Sequence, residues 1–150
     1  ERRQKHYIVL KDLYDNLQST VKHSREVLLA LRERGCRMVL VSNFYGNVET
    51  VLREMQLDDL FVRVIESAAV GIRKPDPRIF LLGVEALGVP AGEVTIVGDN
   101  YEKDIFPGHE AGCHTVWLRG ESWKDKDVDG KAADVQILDI EEILSPSFPF

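Results

Sequence analysis

Apolar residues along this chain follow two rhythms: short unbroken runs, and stretches where they return at every third or fourth position. The short runs at 37–41 and 94–97 predict buried strands, and 61–66, 114–118 and 135–138, with polar residues among their apolar ones, predict further strands. The helical rhythm fills the intervals. Val27, Leu28 and Leu31 predict a helix over 24–34, capped by Ser24, with Glu26 in its first turn and Gly35 as its stop. Val48, Val51, Leu52 and Met55 predict a second helix behind Asn47. Ile79, Phe80, Val84 and Leu87 predict a third, opened by Asp76 and Pro77 and ended by Gly88. A short helix is expected at 107–112 and a helix-like turn at 140–144, while the charged stretch 119–133, carrying Trp123, reads as a surface loop. At the start of the chain Tyr7, Leu10, Tyr14, Leu17 and Val21 are spaced by three and four, the stripe of an amphipathic helix.

Strands alternating with helices in this way predict an α/β fold, a three-layer, doubly wound, Rossmann-like parallel sheet. The 150 residues, 44% of them hydrophobic, suffice for one core. A net charge of -6, with basic residues scattered along helices, argues against a nucleic-acid surface. No stretch approaches the roughly 20 apolar residues that span a bilayer, and no amino-terminal signal peptide is apparent. Cys36 and Cys113 each stand next to a strand start, so buried reduced thiols and a cytoplasmic, reducing compartment are expected. His6, His23, His109 and His114 lack the spacing of metal ligands and are expected as surface or core residues; Trp117 and Trp123 are expected to anchor packing and loop.

Two strand ends and one helix start carry the chemistry. The run at 94–97 gives way to Gly98-Asp99-Asn100 and, five residues beyond Asp99, to Asp104. In an open α/β sheet, ligands bind where the carboxyl ends of strands spill into loops. A carboxylate there, beside a glycine that permits close approach, suits a hard cation such as Mg2+; Asp99 also suits a turn, and Asp104 the cap of a following helix. The run at 37–41 ends in Ser42-Asn43, and Lys74-Pro75-Asp76-Pro77 lies between the two.

Strand-Ser-Asn, then Lys-Pro-Asp-Pro, then strand-Gly-Asp-x4-Asp, in this order, resembles the haloacid dehalogenase-like superfamily of phosphohydrolases over residues 24–144. The resemblance implies that Ser42 bonds a phosphoryl oxygen, aided by Asn43, and that Lys74 neutralises charge shared by nucleophile and phosphoryl group. It implies Asp99 as a direct Mg2+ ligand, Asp104 as holder of a metal-bound water or orienter of Lys74, and Asn100 behind them. The substrate would be a small phosphorylated metabolite, with no nucleic acid or membrane involved.

The family forms an aspartyl-phosphate on an Asp-x-Asp motif at the end of its first strand, and no Asp-x-Asp precedes Ser42. Lys11-Asp12-Leu13-Tyr14-Asp15 has the wrong spacing, and Asp12 and Asp15 read as solvated helix residues. The chain begins with Glu1, which suits a piece of a capped member: residues 1–23 as the returning helix of a cap, and 24–150 as an incomplete core without its central first strand. The strands at 37–41 and 94–97 would then expose apolar edges, open to strand exchange or to a separate amino-terminal segment. The expectation is a Mg2+-dependent phosphohydrolase, inactive in this form; a non-catalytic remnant serving as a binding or regulatory module is the alternative. Mutase or dehalogenase chemistry is a third, and Gly-Asp-x4-Asp favours the metal-dependent phosphate branches over the dehalogenases.

Overall fold

The computed structural model describes residues 6–9, 17–119 and 129–150. Six parallel strands form one sheet: β1 (His6–Val9), β2 (Arg37–Ser42), β3 (Arg63–Glu66), β4 (Val94–Gly98), β5 (His114–Leu118) and β6 (Val135–Ile137), in the spatial order β3-β2-β1-β4-β5-β6. The helices are α1 (Leu17–Glu33), α2 (Val48–Glu54), α3 (Ser67–Val70), α4 (Arg78–Leu87) and α5 (Phe106–Glu110). Alternation along the strands sorts the core into two faces. Met38 and Leu40 of β2 and Val97 of β4 join Val27, Leu28 and Leu31 of α1, Val48 and Leu52 of α2, and Ile140 and Ile143. Val39 and Val41 of β2 and Val94 and Ile96 of β4 pack instead with Ile79, Phe80 and Leu87 of α4. Helices on both faces of a parallel sheet make the doubly wound α/β architecture expected from the sequence.

The amino-terminal segment departs from its expected helix. His6–Val9 is a strand in the middle of the sheet, pairing Val9 with Leu40 on one side and with Val97 on the other. The central position expected to be absent is therefore filled, and β2 and β4 do not present open edges to it. The physical reason is tertiary. Two apolar strands with unpaired backbone groups facing one slot gain far more from a β-branched and aromatic segment such as His-Tyr-Ile-Val than local periodicity gains from a helix. Tyr7 is buried, with its hydroxyl donating to the Phe150 carbonyl at 3.4 Å. Burial pushes its pKa up to about 12. Leu10, Asp12, Tyr14 and Asp15 lie outside the described residues.

The helical reading holds from Leu17 onward, but as one helix rather than two. α1 runs without interruption through Ser24, which is buried inside it instead of capping it. No Gly or Pro falls between Leu17 and Glu33, so nothing forces a break. The boundary proposed at residues 23 and 24 thus falls in the middle of this helix. The remaining elements match the expected ones to within a few residues, and Cys36 and Cys113 are buried free thiols. Burial raises the Cys113 thiol to about 11, so it stays protonated and inert near neutral pH. Trp123 lies outside the described residues.

Candidate active site

The register of the sheet sets the geometry. Leu40 and Val97 both pair with Val9, so Ser42 and Asp99, each two residues further on, leave the sheet at the same level. One strand separates theirs, which puts the two backbones about 9–10 Å apart at the carboxyl edge. The hollow between such strand ends is where open α/β sheets take their ligands.

Lys74 and Asp104 meet there. The Lys74 ammonium donates to Asp104 Oδ1 at 2.8 Å, with the two side chains only 12% and 2% exposed. The other Asp104 oxygen, Oδ2, accepts from the Asn100 backbone N–H at 3.1 Å. Two features bring Asp104 into place. Tyr101–Ile105 winds as a π-turn, wider than an α-turn, capped by the Asn100 side chain accepting from the Lys103 N–H at 2.9 Å; such turns are rare and recur at functional sites. Gly98 supplies the space: a Cβ on it would sit 2.5 Å from Asp104 Cβ and 2.8 Å from Oδ2. The close approach this glycine permits is that of Asp104.

Lys74 is held from behind by Asn43. The Asn43 carboxamide oxygen accepts from the Lys74 N–H at 2.8 Å, and its nitrogen donates to the Lys74 carbonyl at 3.0 Å. The Asn43 side chain is thus spent on fixing the lysine backbone. Lys74 precedes a cis proline, Pro75, within a turn closed by the Asp76 N–H donating to the Arg73 carbonyl at 2.9 Å. Asp76 does cap, as expected: its Oδ1 accepts from the Arg78 N–H at 3.0 Å, and its carboxylate pairs with the Arg78 guanidinium, which holds its pKa below the usual range.

Asp99 is exposed at the tip of β4. Its carbonyl accepts from the indole N–H of Trp117 at 3.2 Å, and Trp117, fully buried, tilts against Tyr101 with ring centroids 5.1 Å apart. Tyr101 in turn accepts from the Ala132 N–H at 3.0 Å. Read from sequence only as packing, Trp117 also fixes the backbone of a site residue; nothing in its spacing signals that. Ser42 is half-buried at the end of β2 beside Asn43. Ser42, Asn43, Lys74, Asp99, Asn100 and Asp104 are therefore brought together at one edge of the sheet, through direct contacts or as chain neighbours of residues in contact.

For a cation, the acidic side chains at this edge are the exposed Asp99 and the buried Asp104, whose two oxygens accept hydrogen bonds. That set fits Mg2+, which keeps several waters and binds through one or two carboxylates plus phosphate. Among the described residues the trio of ligand atoms within 4.8 Å of one another lies elsewhere, at His23, Asp139 and Glu141. There the His23 ring already bonds Asp139 at 2.7 Å, tying α1 to the turn at Ile140–Leu144, and that bond raises the His23 pKa. His6 is buried in the core.

The family model of haloacid dehalogenase-like hydrolases matches residues 4–112. The chain belongs to that family. It is 38% identical over 103 residues to a glyceraldehyde 3-phosphate phosphatase of Pyrococcus abyssi, covering 66% of this chain and 42% of that one. With a phosphoserine phosphatase of Thermus thermophilus it shares 35% identity over 119 residues, 78% of this chain and 47% of the relative. A haloacid dehalogenase phosphatase from Thermococcus onnurineus superposes with a TM-score of 0.72 at 30% identity, covering 81% of this chain and 54% of that one. An uncharacterised Listeria monocytogenes protein has the same fold at 20% identity, with a TM-score of 0.77 over 93% of this chain and 94% of its own. The chain spans about half the length of the curated relatives it matches.

Proposed function

We propose that this chain carries the phosphate- and Mg2+-binding half of a phosphohydrolase site acting on small phosphorylated metabolites. The observation that carries the reading is the buried Lys74–Asp104 pair, set at the carboxyl edge of the sheet between Ser42 and Asp99. Phosphoryl transfer asks a protein chiefly for positioned positive charge and donors around the equatorial oxygens. Lys74 supplies the charge, oriented by Asp104 and clamped by Asn43. The Ser42 hydroxyl and the backbone N–H groups behind it supply donors. Asp99 would hold Mg2+, whose chemistry is to shield the phosphate charge from an attacking carboxylate. The phosphatase relatives support the substrate class, and the two buried free thiols support a reducing, cytoplasmic setting.

In the family the attacking carboxylate and the acid/base come from Asp-x-Asp after the central strand. Here Val9 is followed in sequence by Leu10, Lys11 and Asp12, without that motif. Chemistry through an aspartyl-phosphate would need an attacking carboxylate that this motif does not supply. Because His6–Val9 occupies the central position, a second reading has its own support: a haloacid dehalogenase-like module that binds phosphate esters without hydrolysing them.

One experiment separates the two. With p-nitrophenyl phosphate and Mg2+, the 150-residue chain is expected to show no turnover. A chain extended by a strand and Asp-x-Asp that displaces His6–Val9 from the central position is expected to hydrolyse the ester, and Asp99→Ala should abolish that activity. Failure of the longer chain to turn over while phosphate esters still bind would favour the binding module. Hydrolysis by the 150-residue chain that is lost on Asp12→Ala would instead place the nucleophile within this sequence.

A further inference from the structure

The loop after β2 is fastened at three points and leaves one residue standing out. Asn43 holds the Lys74 backbone, the Phe44 carbonyl accepts from the Ser67 hydroxyl at 3.3 Å, and the Gly46 N–H donates to the Glu66 carboxylate. Between these fixed residues Tyr45 is 82% exposed. Large aromatics on a surface are ordinarily covered at least on one face, and a pinned backbone gives this one little freedom to find cover. What it meets is Arg73, whose guanidinium carbon lies 5.9 Å from the ring centroid. That is the outer limit of a cation–π contact, so the ring steadies the guanidinium while its N–H fork stays open.

Arg73 is also exposed, and among the described residues it forms no ion pair. Of the carboxylates along the two loops, Asp76 pairs with Arg78, and Glu66 accepts from the Gly46 N–H. In a chain of net charge -6, an uncompensated arginine immediately before the phosphate-binding lysine is a local positive site. A guanidinium matches carboxylate or phosphate oxygens through two parallel donors.

We propose that Arg73, steadied by Tyr45, receives a second anionic group of the substrate, a carboxylate or a phosphate, beside the phosphoryl group held by Lys74. This rests on the phosphate-site reading above and narrows its substrate class to phosphate esters of acids or bisphosphates. Tyr45 is the positioning residue and Arg73 the specificity-determining one.

The test is calorimetric binding to the 150-residue chain with Mg2+ at about 0.15 M salt, where long-range charge effects are screened. The ligands are O-phosphoserine, O-phosphoethanolamine and propane-1,3-diol bisphosphate; the first two differ by the carboxylate alone. O-phosphoserine or the bisphosphate is expected to bind about fivefold tighter than O-phosphoethanolamine, the size of one exposed charge-assisted pair. Whichever of them is preferred identifies the second group. Arg73→Ala should erase the preference while changing O-phosphoethanolamine binding less than about twofold. Arg73→Lys, which keeps charge but not the fork, should retain only part of the preference. Tyr45→Phe should preserve it, and Tyr45→Ala should weaken it. A preference untouched by Arg73→Ala, or no preference with all three ligands bound and Lys74→Ala abolishing that binding, overturns the role of Arg73 and leaves the phosphate site standing. No binding of any of the three overturns both.

Discussion

Asp104→Ala is expected to destabilise the protein by about 3–5 kcal/mol, the cost of stranding one member of a buried ion pair. Asp104 is 2% exposed and Lys74 12% exposed, with 2.8 Å between the charged atoms. Removing the carboxylate leaves a part-buried ammonium without its counter-charge. It also takes the acceptor from the Asn100 N–H, which belongs to the turn presenting Asp99. Urea denaturation measures the loss. The companion variant Lys74→Met removes the charge but keeps the apolar stem, so the double variant Asp104→Ala/Lys74→Met should recover a good part of the stability. Additive losses in that cycle would show that the two groups do not interact as the structure has them. A loss under about 1 kcal/mol would place the pair in solvent.

Trp117→Ala should cost about as much, 3–5 kcal/mol, through a different term. The indole is fully buried among Tyr101, Ile105 and Ala132, so its removal leaves a cavity that the fixed β5 backbone cannot close. Its effect reaches the site because the indole N–H holds the Asp99 carbonyl. Trp117→Phe separates the two contributions. It keeps most of the packing and drops the hydrogen bond, so it should be far less destabilising, yet should still weaken Mg2+ binding at Asp99. Thermal unfolding followed beside a Mg2+ titration measures both. A Phe variant as destabilised as the Ala variant would mean that the hydrogen bond, and not the cavity, dominates.

The sheet was legible because its strands are apolar enough to be recognised whatever their neighbours. Ser42 and Asp99 stood out because they sit where strands end, and strand ends show in the pattern; Lys74 and Asp104 lie in turns beyond them. The segment around Tyr7 was not legible. Its three-and-four spacing is a real helical signal that α1 obeys from Leu17 onward, but backbone pairing between β2 and β4 outweighs it at His6–Val9. No local pattern reports an empty slot in a sheet. The duties of Asn43 and Trp117 were hidden for a similar reason. Each acts on the backbone of a residue many positions away, Asn43 on Lys74 and Trp117 on Asp99. Gly98 matters for its missing side chain, but that Asp104 fills the space could not be read, because the π-turn that returns Asp104 to it has no sequence signature of its own.

The most direct measurement is an amide NMR titration of the chain with inorganic phosphate in the presence of Mg2+. Shifts are expected to gather at residues 42–44, 73–76 and 98–104, three segments distant in sequence, and Lys74→Ala should remove them together. Shifts confined to one of these segments, or spread over the basic positions of α1, would contradict a single phosphate-binding hollow at the carboxyl edge of this sheet.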